Sequence, residues 1–451
     1  MKYKNFYIEN YGCQMNISDS DIITSILLNH GFILSENLDK ANIILLNACS
    51  IREKAELTLK KRLEQLKFCK KNKKIWIGII GCFSKEIKNF FCKKKMVDFF
   101  VPPDSYREIP NFIYYSIMGM QYLSYIKKRN ETYADISFVN VKTKQNNKKI
   151  TSFLSITRGC NNMCTFCIVP FTRGRERSSD PDSIIKECKR LYKNGYKEVT
   201  LLGQNVDSYL WIEEKNMNQN QKNVVDFSKL LDLLAKEIPM MRIRFSTSNP
   251  HDMSNKVLEV ISKHKNICKH IHLPVQSGSN KILKLMNRKY TREEYLFLVQ
   301  QIKNIIPECS ISHDIISGFC NENEQDHQDT INLMNEIKYN YGYMFSYSPR
   351  PGTYAYRKLK DNVPQHIKKK RLQEIIDLQR KHSFYRMQEY LGRVEEVLIE
   401  GESKKNNQYW YGRNTQNLIV VFPKKFFNIG DYAYVKIKNT TSATLIGELC
   451  I

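Results

Sequence analysis

The chain has 451 residues, 42% of them hydrophobic and 26% charged, a globular balance with room for two or three domains. Its formal net charge of +25 favours a polyanionic partner, most simply nucleic acid, although a composition rich in Lys and Asn would also raise it. The N-terminal run MKYKNFYIENYGC has no apolar signal core and no stretch approaches a membrane span, so a cytoplasmic protein without a membrane partner is expected, and its thirteen cysteines then point to metal ligation rather than disulfides.

Residues 1–120 repeat one pattern, an apolar strand, a cysteine, then a helix or turn. FYIENYGCQMN leads into an amphipathic stretch from Asp19 to His30, ANIILLNACSIREKA into a helical run from Arg52 to Lys70, and KIWIGIIGCFSKE into a shorter helical pattern. Such alternation predicts an open parallel α/β sheet, whose ligands gather at the carboxyl ends of the strands. Cys13, Cys49 and Cys82 each lie just past a strand end and would converge there, with Gly12 and Gly81 allowing tight turns and close backbone approach. The recurrence favours a second metal site; ordinary small core cysteines are the alternative, and that is the reading for Cys69, Cys92, Cys188, Cys268, Cys309 and Cys450.

Residues 121–149 end in VKTKQNNKK and read as a connector. Residues 150–382 then alternate strand and helix six times. The strands are FLSITRG, EVTLLGQNV, RIRFSTS, HIHLPVQS, CSISHDIISG and YMFSYS. The helices between them are Asp182 to Asn194, Phe227 to Ile238, Asn255 to Lys265, Arg292 to Ile306 and His327 to Tyr339. Successive βα units predict a barrel or part of one, a partial (βα)6 barrel, with its chemistry at the carboxyl-end face.

On that face, after the first strand, stands RGCNNMCTFCIVP. Its Cys160, Cys164 and Cys167, spaced Cys-x3-Cys-x2-Cys, can hold three corners of a cubane iron–sulfur cluster and leave the fourth iron open for a small chelator such as S-adenosylmethionine. A zinc knuckle is the competing assignment, but zinc sites close four ligands and the next histidine is the distant His251. Gly203, Gln204, Asn205, Ser246, Gln276, Ser277, Asp314 and Arg350 fall at the same strand ends, where they would line one cavity and contact a cofactor, or merely cap helices and turn loops.

A long basic helix begins near Gln365, and residues 383–451 carry five β-type stretches, RVEEVLIEGES, YWYGRNT, LIVVFP, YAYVKIK and ATLIGEL. They predict a small β-barrel. Tyr409, Trp410, Tyr411, Arg413, Lys424 and Lys425 interleave rings with cations, which suits RNA, or equally an ordinary half-buried β surface.

The Cys-x3-Cys-x2-Cys run resembles the signature of the radical S-adenosylmethionine enzymes. That resemblance implies one-electron cleavage of the sulfonium to a 5′-deoxyadenosyl radical, with the protein positioning the reactants and excluding water. The chain as a whole resembles the methylthiotransferases, which join an N-terminal three-cysteine domain, a radical domain and a C-terminal TRAM barrel. NACSIREKA at residues 47–55 discriminates most, being similar to the NTCSIREKA run of the branch that acts on N6-isopentenyladenosine in tRNA; YGCQMN, PFTRGRERS, LLGQNV, HLPVQSGS and YSPRPGT also match.

The resemblance implies two 4Fe–4S clusters, a radical-generating one on Cys160, Cys164 and Cys167 and an auxiliary, sulfur-donating one on Cys13, Cys49 and Cys82. It also implies S-adenosylmethionine as cosubstrate, a tRNA anticodon stem-loop as partner, and an electron donor such as flavodoxin or ferredoxin. The product would carry a methylthio group at C2 of the adenine. That carbon is unactivated, so no general acid or base is assigned, and a monomer is the default. Sister enzymes that act on threonylcarbamoyladenosine or a ribosomal-protein aspartate differ after the second cysteine, and a non-catalytic RNA-binding metalloprotein is the remote alternative. Some positions depart from the pattern: Ala48 for Thr, Ser179 for Arg, and GFCNEN at 318–323 for GFPGET. Loss of Pro and Gly should loosen or reshape that loop, and Cys320 raises the question of a stray ligand.

Overall fold

The protein is described by a computed structural model covering residues 4–49, 53–83, 85–94, 96–120, 131–137, 149–213 and 223–450. Most of the connector read over 121–149, the Ser50–Ile51–Arg52 part of NACSIREKA and the side chain of Cys69 lie outside the described residues.

The chain opens with β1 (Asn5–Asn10), α1 (Gln14–Asn29), β2 (Ile33–Leu34), β3 (Ile43–Ala48), α2 (Glu53–Asn72), β4 (Trp76–Gly81), α3 (Lys85–Lys93), β5 (Phe99–Val101) and α4 (Ile109–Ile117). The strands form a parallel sheet in the order β2-β1-β3-β4-β5. β3 and β4 are buried throughout, which is why they read as continuous apolar runs. Alternate residues of β3 serve opposite faces: Ile43 and Leu45 pack with Ile22, Ile23 and Leu27 of α1, whereas Ile44 and Leu46 pack with Leu59, Leu63 and Leu66 of α2. α1 starts five residues before the amphipathic stretch suggests: its first two turns bury polar groups that a hydrophobic pattern passes over, Asn16 and Ser18 ahead of the expected start and Asp19 and Ser20 within it.

The central body comprises β6 (Thr151–Ser155), β7 (Thr157–Arg158), α5 (Val169–Thr172), β8 (Arg177–Ser178), α6 (Pro181–Lys193), β9 (Glu198–Leu202), β10 (Leu210–Ile212), β11 (Val224–Asp226) and α7 (Phe227–Glu237). It continues with β12 (Arg242–Ser246), α8 (Asn255–Lys263), β13 (His270–His272), α9 (Asn280–Leu285), α10 (Arg292–Ile305), β14 (Ser310–Ser317), α11 (Glu324–Ile337), β15 (Tyr341–Ser346) and α12 (Tyr354–Lys358). Two parallel sheets, β6-β9-β12 and β13-β14-β15, meet where Cys268 donates from its backbone N to Ile243 O at 2.9 Å and Ser248 to His272 O at 3.1 Å. The result is a six-stranded partial barrel with β6 and β15 at its edges. The five intervening helices lie within a few residues of their expected limits. The antiparallel pair β10–β11 carries no comparable apolar run and is not legible in the sequence.

α13 (Gln365–Gln388) packs along β15 and leads into β16 (Val394–Glu402), β17 (Tyr409–Arg413), β18 (Ile419–Pro423), β19 (Tyr432–Thr440) and β20 (Thr444–Leu449). These close as the barrel β16-β17-β18-β20-β19 around Val397, Ile399, Val420, Phe422, Val435 and Leu445. This barrel is tied to the start of β12. Arg242 donates to Arg413 O at 2.9 Å and Glu396 O at 3.0 Å, and Arg244 donates to Asn414 O at 2.7 Å while pairing with Glu198 at 2.8 Å. The amino ends of barrel strands lie opposite the face that carries Cys160, Cys164 and Cys167.

The GFCNEN loop is held firmly, contrary to the expectation of loosening. Glu322 is buried, and its Oε1 accepts from Gly318 N at 2.8 Å and Arg371 at 3.0 Å. Asn323 caps α11 through Asp326 N at 2.9 Å. Cys320 is fully buried beside Phe319, Tyr347, Ile282 and Met286, packed as a small apolar side chain.

Candidate functional site

Cys49 and Cys82 directly follow β3 and β4, and Cys13 follows β1 after Tyr11 and Gly12. Because these strands are neighbours and parallel, their carboxyl ends share one edge, and three cysteines distant in sequence meet there. The Cys13 and Cys49 thiols are hydrogen-bond partners, and Cys82 N donates to Ala48 O at 3.1 Å. Asn16 braces the turn, donating to Asn47 Oδ1 and Ala48 O, both at 2.8 Å. Both glycines are needed for this approach. A Cβ on Gly12 would lie 2.7 Å from Cys49 Cβ, and Gly81 has φ +86° with Ala48 O 2.9 Å from where a Cβ would stand.

The bond to Cys49 holds the Cys13 thiol down at about 6, against burial, with the Arg173 guanidinium adding to the lowering. Burial pushes Cys82 up, and Arg173 opposes that too. Arg173 thus stands beside this first triad as a cation.

Cys160, Cys164 and Cys167 lie on the loop between β7 and α5. Gly159, at φ +79°, turns the chain into it, and Cys160 N donates to Gly174 O at 3.2 Å and Cys167 N to Cys164 O at 3.0 Å. Thr165 N donates to Met286 O at 3.0 Å, so α9 supports the loop from behind. Arg288 donates to Cys164 Sγ at 3.4 Å and to Pro274 O at 3.0 Å, with its guanidinium 5.1 Å from the Tyr290 ring centroid. Burial pushes the Cys160 thiol up and takes Cys167 to about 12. Exposed Met163 and Phe171 flank this second triad.

Among the described residues, no three His, Cys, Asp or Glu side chains are arranged to hold a single metal ion. Each triad supplies three soft sulfur donors, and each has an arginine beside it to balance thiolate charge. Those are the requirements of a thiolate-bound cubane with one iron left open.

Gly203 and Gln204 follow β9, and Asn205, buried, donates to Asp252 at 2.7 Å while its Oδ1 has no partner. Ser246 ends β12 beside Thr247, and Asp314 on β14 lies 3.6 Å from His272 Nε2. Gln276 has φ +71° and bonds through its backbone to Asp314 O at 2.8 Å. Ser277 is buried and accepts from Ser279 N at 3.2 Å, bonds that stabilise the entry to α9. Arg350 reaches across to Glu56 on α2 at 3.8 Å. Beside this group Asp207 accepts from Asn249 N at 3.0 Å, and burial pushes its carboxyl up to about 7.

Periodicity and spacing pass over Asp19, Arg158, Arg173 and Arg288. Arg173 lies within the quoted PFTRGRERS run, and Asp19 opens what reads as an ordinary amphipathic stretch. Arg158 opens the quoted RGCNNMCTFCIVP run without being singled out there, and Arg288 lies in none of the quoted runs. Their positions matter only once separate segments are folded together.

Three family descriptions match the chain: "Uncharacterized protein family UPF0004" at residues 5–102, "Radical SAM superfamily" at 154–334 and "TRAM domain" at 388–450. Among solved structures, the radical S-adenosylmethionine methyltransferase TsrM of Kitasatospora setae, with cobalamin and a [4Fe-4S] cluster bound, is similar at a TM-score of 0.55 with 9% identity, covering 76% of this chain and 75% of that one. The likeness is one of fold. In sequence, the chain is 60% identical to the tRNA-2-methylthio-N(6)-dimethylallyladenosine synthase of Karelsulcia muelleri (strain GWSS), over 99% of both chains. It is 52% identical to the enzyme of the same name from Flavobacterium psychrophilum, over 99% of this chain and 94% of that one. With more than half of its residues shared along nearly the whole of both relatives, the chain belongs to the family of tRNA-2-methylthio-N(6)-dimethylallyladenosine synthases.

Proposed function

We propose that this protein replaces the C2 hydrogen of N6-isopentenyladenosine, next to the anticodon of tRNA, with a methylthio group. The observation that carries the reading is the end-to-end match to relatives named for that reaction, in a chain that keeps two separate cysteine triads. Cys160, Cys164 and Cys167 would hold a cluster that binds S-adenosylmethionine, and Cys13, Cys49 and Cys82 an auxiliary cluster. When bound, these groups supply the electron, the radical, the sulfur and the methyl group of the reaction.

The residues of the chain position and shield. Burial of Cys49 and Cys82 keeps water from the first triad, and Arg288 fixes Cys164 in the second. Gln204, Asn205, Ser246, Gln276, Ser277, Asp314, Arg350 and the open backbone at Gly203 would surround S-adenosylmethionine. No side chain is assigned as acid or base. The C-terminal barrel would hold the anticodon stem-loop. Lys424 Nζ lies 4.4 Å from the Trp410 ring centroid, and Phe426 beside it is 97% exposed, a cation-and-ring surface suited to RNA. Tyr409, Tyr411 and Arg413 alternate with Trp410 along β17 and so share the other face of that strand, where they and Lys425 would offer further rings and cations to RNA. Residues 1–120, the 121–149 connector, 150–382 and 383–451 would act as auxiliary-cluster, linking, radical and RNA-binding units. A cytoplasmic monomer reduced by a flavodoxin or ferredoxin completes the reading; no described helix is long and apolar enough to cross a membrane.

Iron and acid-labile sulfide per chain, after anaerobic reconstitution, test it. About eight irons in the wild type should fall to about four in the Cys13→Ala/Cys49→Ala/Cys82→Ala variant, which should still cleave S-adenosylmethionine but no longer methylthiolate tRNA. About four irons in both proteins would end the two-cluster reading. An unchanged tRNA nucleoside profile in cells lacking the gene would sink the substrate assignment.

A further inference from the structure

Between the two triads lies an ion cluster that neither needs for ligation. Asp19, on α1, is fully buried. It accepts from Arg158 at 2.8 Å, from Arg173 at 2.8 Å and from Tyr106 Oη at 3.0 Å. Both guanidiniums are also buried, at 1% and 2% exposure. Asp19 belongs to the open sheet and the two arginines to the barrel, so the cluster bolts one body to the other.

Two buried guanidiniums share one carboxylate, which leaves one positive charge in excess. Uncompensated buried charge is strongly disfavoured, so an anion must sit nearby. The surroundings of the two arginines differ. Arg158 stacks on rings, 4.9 Å from the Tyr133 centroid and 5.9 Å from that of Tyr106. Arg173 faces Cys82 and Cys13 instead. The Nη1 of each arginine is buried without a hydrogen-bond partner, so the two differ in what they face and not in how they are satisfied. Asp104 lies within electrostatic reach of both arginines, but its direct ion pair is with Arg177 at 2.7 Å. The anionic partner left for Arg173 is the thiolate group of the first triad.

Arg173 also belongs to the second triad by chain connection. It caps α5, six residues after Cys167, with its N donating to Val169 O at 2.8 Å. One residue therefore rides on the loop of one triad and presents its cation to the other.

On this basis, and resting on the two-cluster reading above, we infer that Arg173 is a positioning residue that sets the charge and placement of the Cys13/Cys49/Cys82 cluster relative to the Cys160/Cys164/Cys167 loop, with Asp19 as its anchor. Removing a positive charge beside a cluster disfavours its reduced, more negative state. Arg173→Gln should therefore move the midpoint potential of the auxiliary cluster to a more negative value and raise the 5′-deoxyadenosine formed per methylthiolated product severalfold. Arg173→Lys should restore most of the potential. Arg158→Gln takes one guanidinium from the same carboxylate but faces rings instead of thiols, so it should leave the potential where it was. Both Gln variants keep Asp19 paired with one arginine, which favours folding.

The test is potentiometry of the reconstituted full-length enzyme followed by electron paramagnetic resonance, with iron counted in every variant. A shift in Arg173→Gln alone, or loss of the auxiliary irons in Arg173→Gln but not in Arg158→Gln, supports the inference. An unchanged potential at about eight irons overturns it, as do equal shifts or equal iron loss in the two Gln variants, which would mark a purely structural pair. About four irons in the wild type would instead overturn the two-cluster reading itself, and this inference with it.

Discussion

At the scale of single residues, the site is built from close approaches that only certain side chains permit. Gly81 precedes Cys82 at φ +86° and would place a Cβ 2.9 Å from Ala48 O. Gly81→Ala is expected to cost roughly 1–3 kcal/mol from the strained backbone, read as a lower thermal midpoint, with iron lost from the first triad only. Iron lost equally from both triads would contradict a local effect. Asp207 carries the other residue-scale expectation. Its carboxyl is raised by burial from 3.8 to about 7, so the folded state binds a proton that the unfolded chain has released across that window. Stability should therefore fall as pH rises from about 4 to about 7, and Asp207→Asn should flatten that contribution. Matching pH profiles of thermal midpoint for wild type and variant would refute it. The glycines before the first-triad cysteines and the spacing of the second triad were legible in the sequence. Asp207 was not, because its raised value comes from burial, which exists only once the barrel has folded around it.

At the scale of elements, the six barrel strands and the five long helices between them follow from short apolar runs alternating with amphipathic ones. α1 shows where that logic stops. Its buried Asn16, Ser18, Asp19 and Ser20 lie toward the cysteine edge and the ion cluster, so polar packing overrides the apolar pattern in its first two turns. The seam between β12 and the C-terminal barrel was equally invisible, being made by Arg242 and Arg244 near the start of an otherwise ordinary strand. Arg242 spends its donors on Arg413 O, Glu396 O and the half-exposed Glu396 carboxylate. Arg242→Gln should cost on the order of 1–3 kcal/mol, since charge-assisted bonds are lost at a partly solvated pair. Limited proteolysis should then release the C-terminal barrel sooner. Identical cleavage kinetics would show that the seam is held elsewhere.

At the scale of the whole molecule, the net charge of +25 predicts binding to tRNA that weakens as salt rises. If Lys424 and Lys425 touch phosphates, the double Lys→Gln variant should have a shallower slope of log affinity against log salt, by roughly 0.7–0.9 for each phosphate no longer neutralised. Phe426→Ala should weaken binding with the slope unchanged, because a stacked ring releases no counterions. A slope untouched by the lysine changes would place the RNA on another surface. The C-terminal barrel docks at the amino ends of the barrel strands, away from the cysteine loops. A tRNA held there must extend along the molecule to bring one adenosine to the opposite face.

The sequence by itself determined the order of the parts, the α/β class, the closed C-terminal barrel and the two sets of three cysteines. Those features are written in local periodicity and spacing, which each segment carries alone. Only the tertiary structure decided that Arg173, six residues from Cys167, reaches the other triad, and that Asp19 and Arg158 hold it there. The reason is physical. A strand announces itself by what it buries, whereas a buried ion cluster exists only when charges from distant segments share one space of low dielectric, and no single segment shows that.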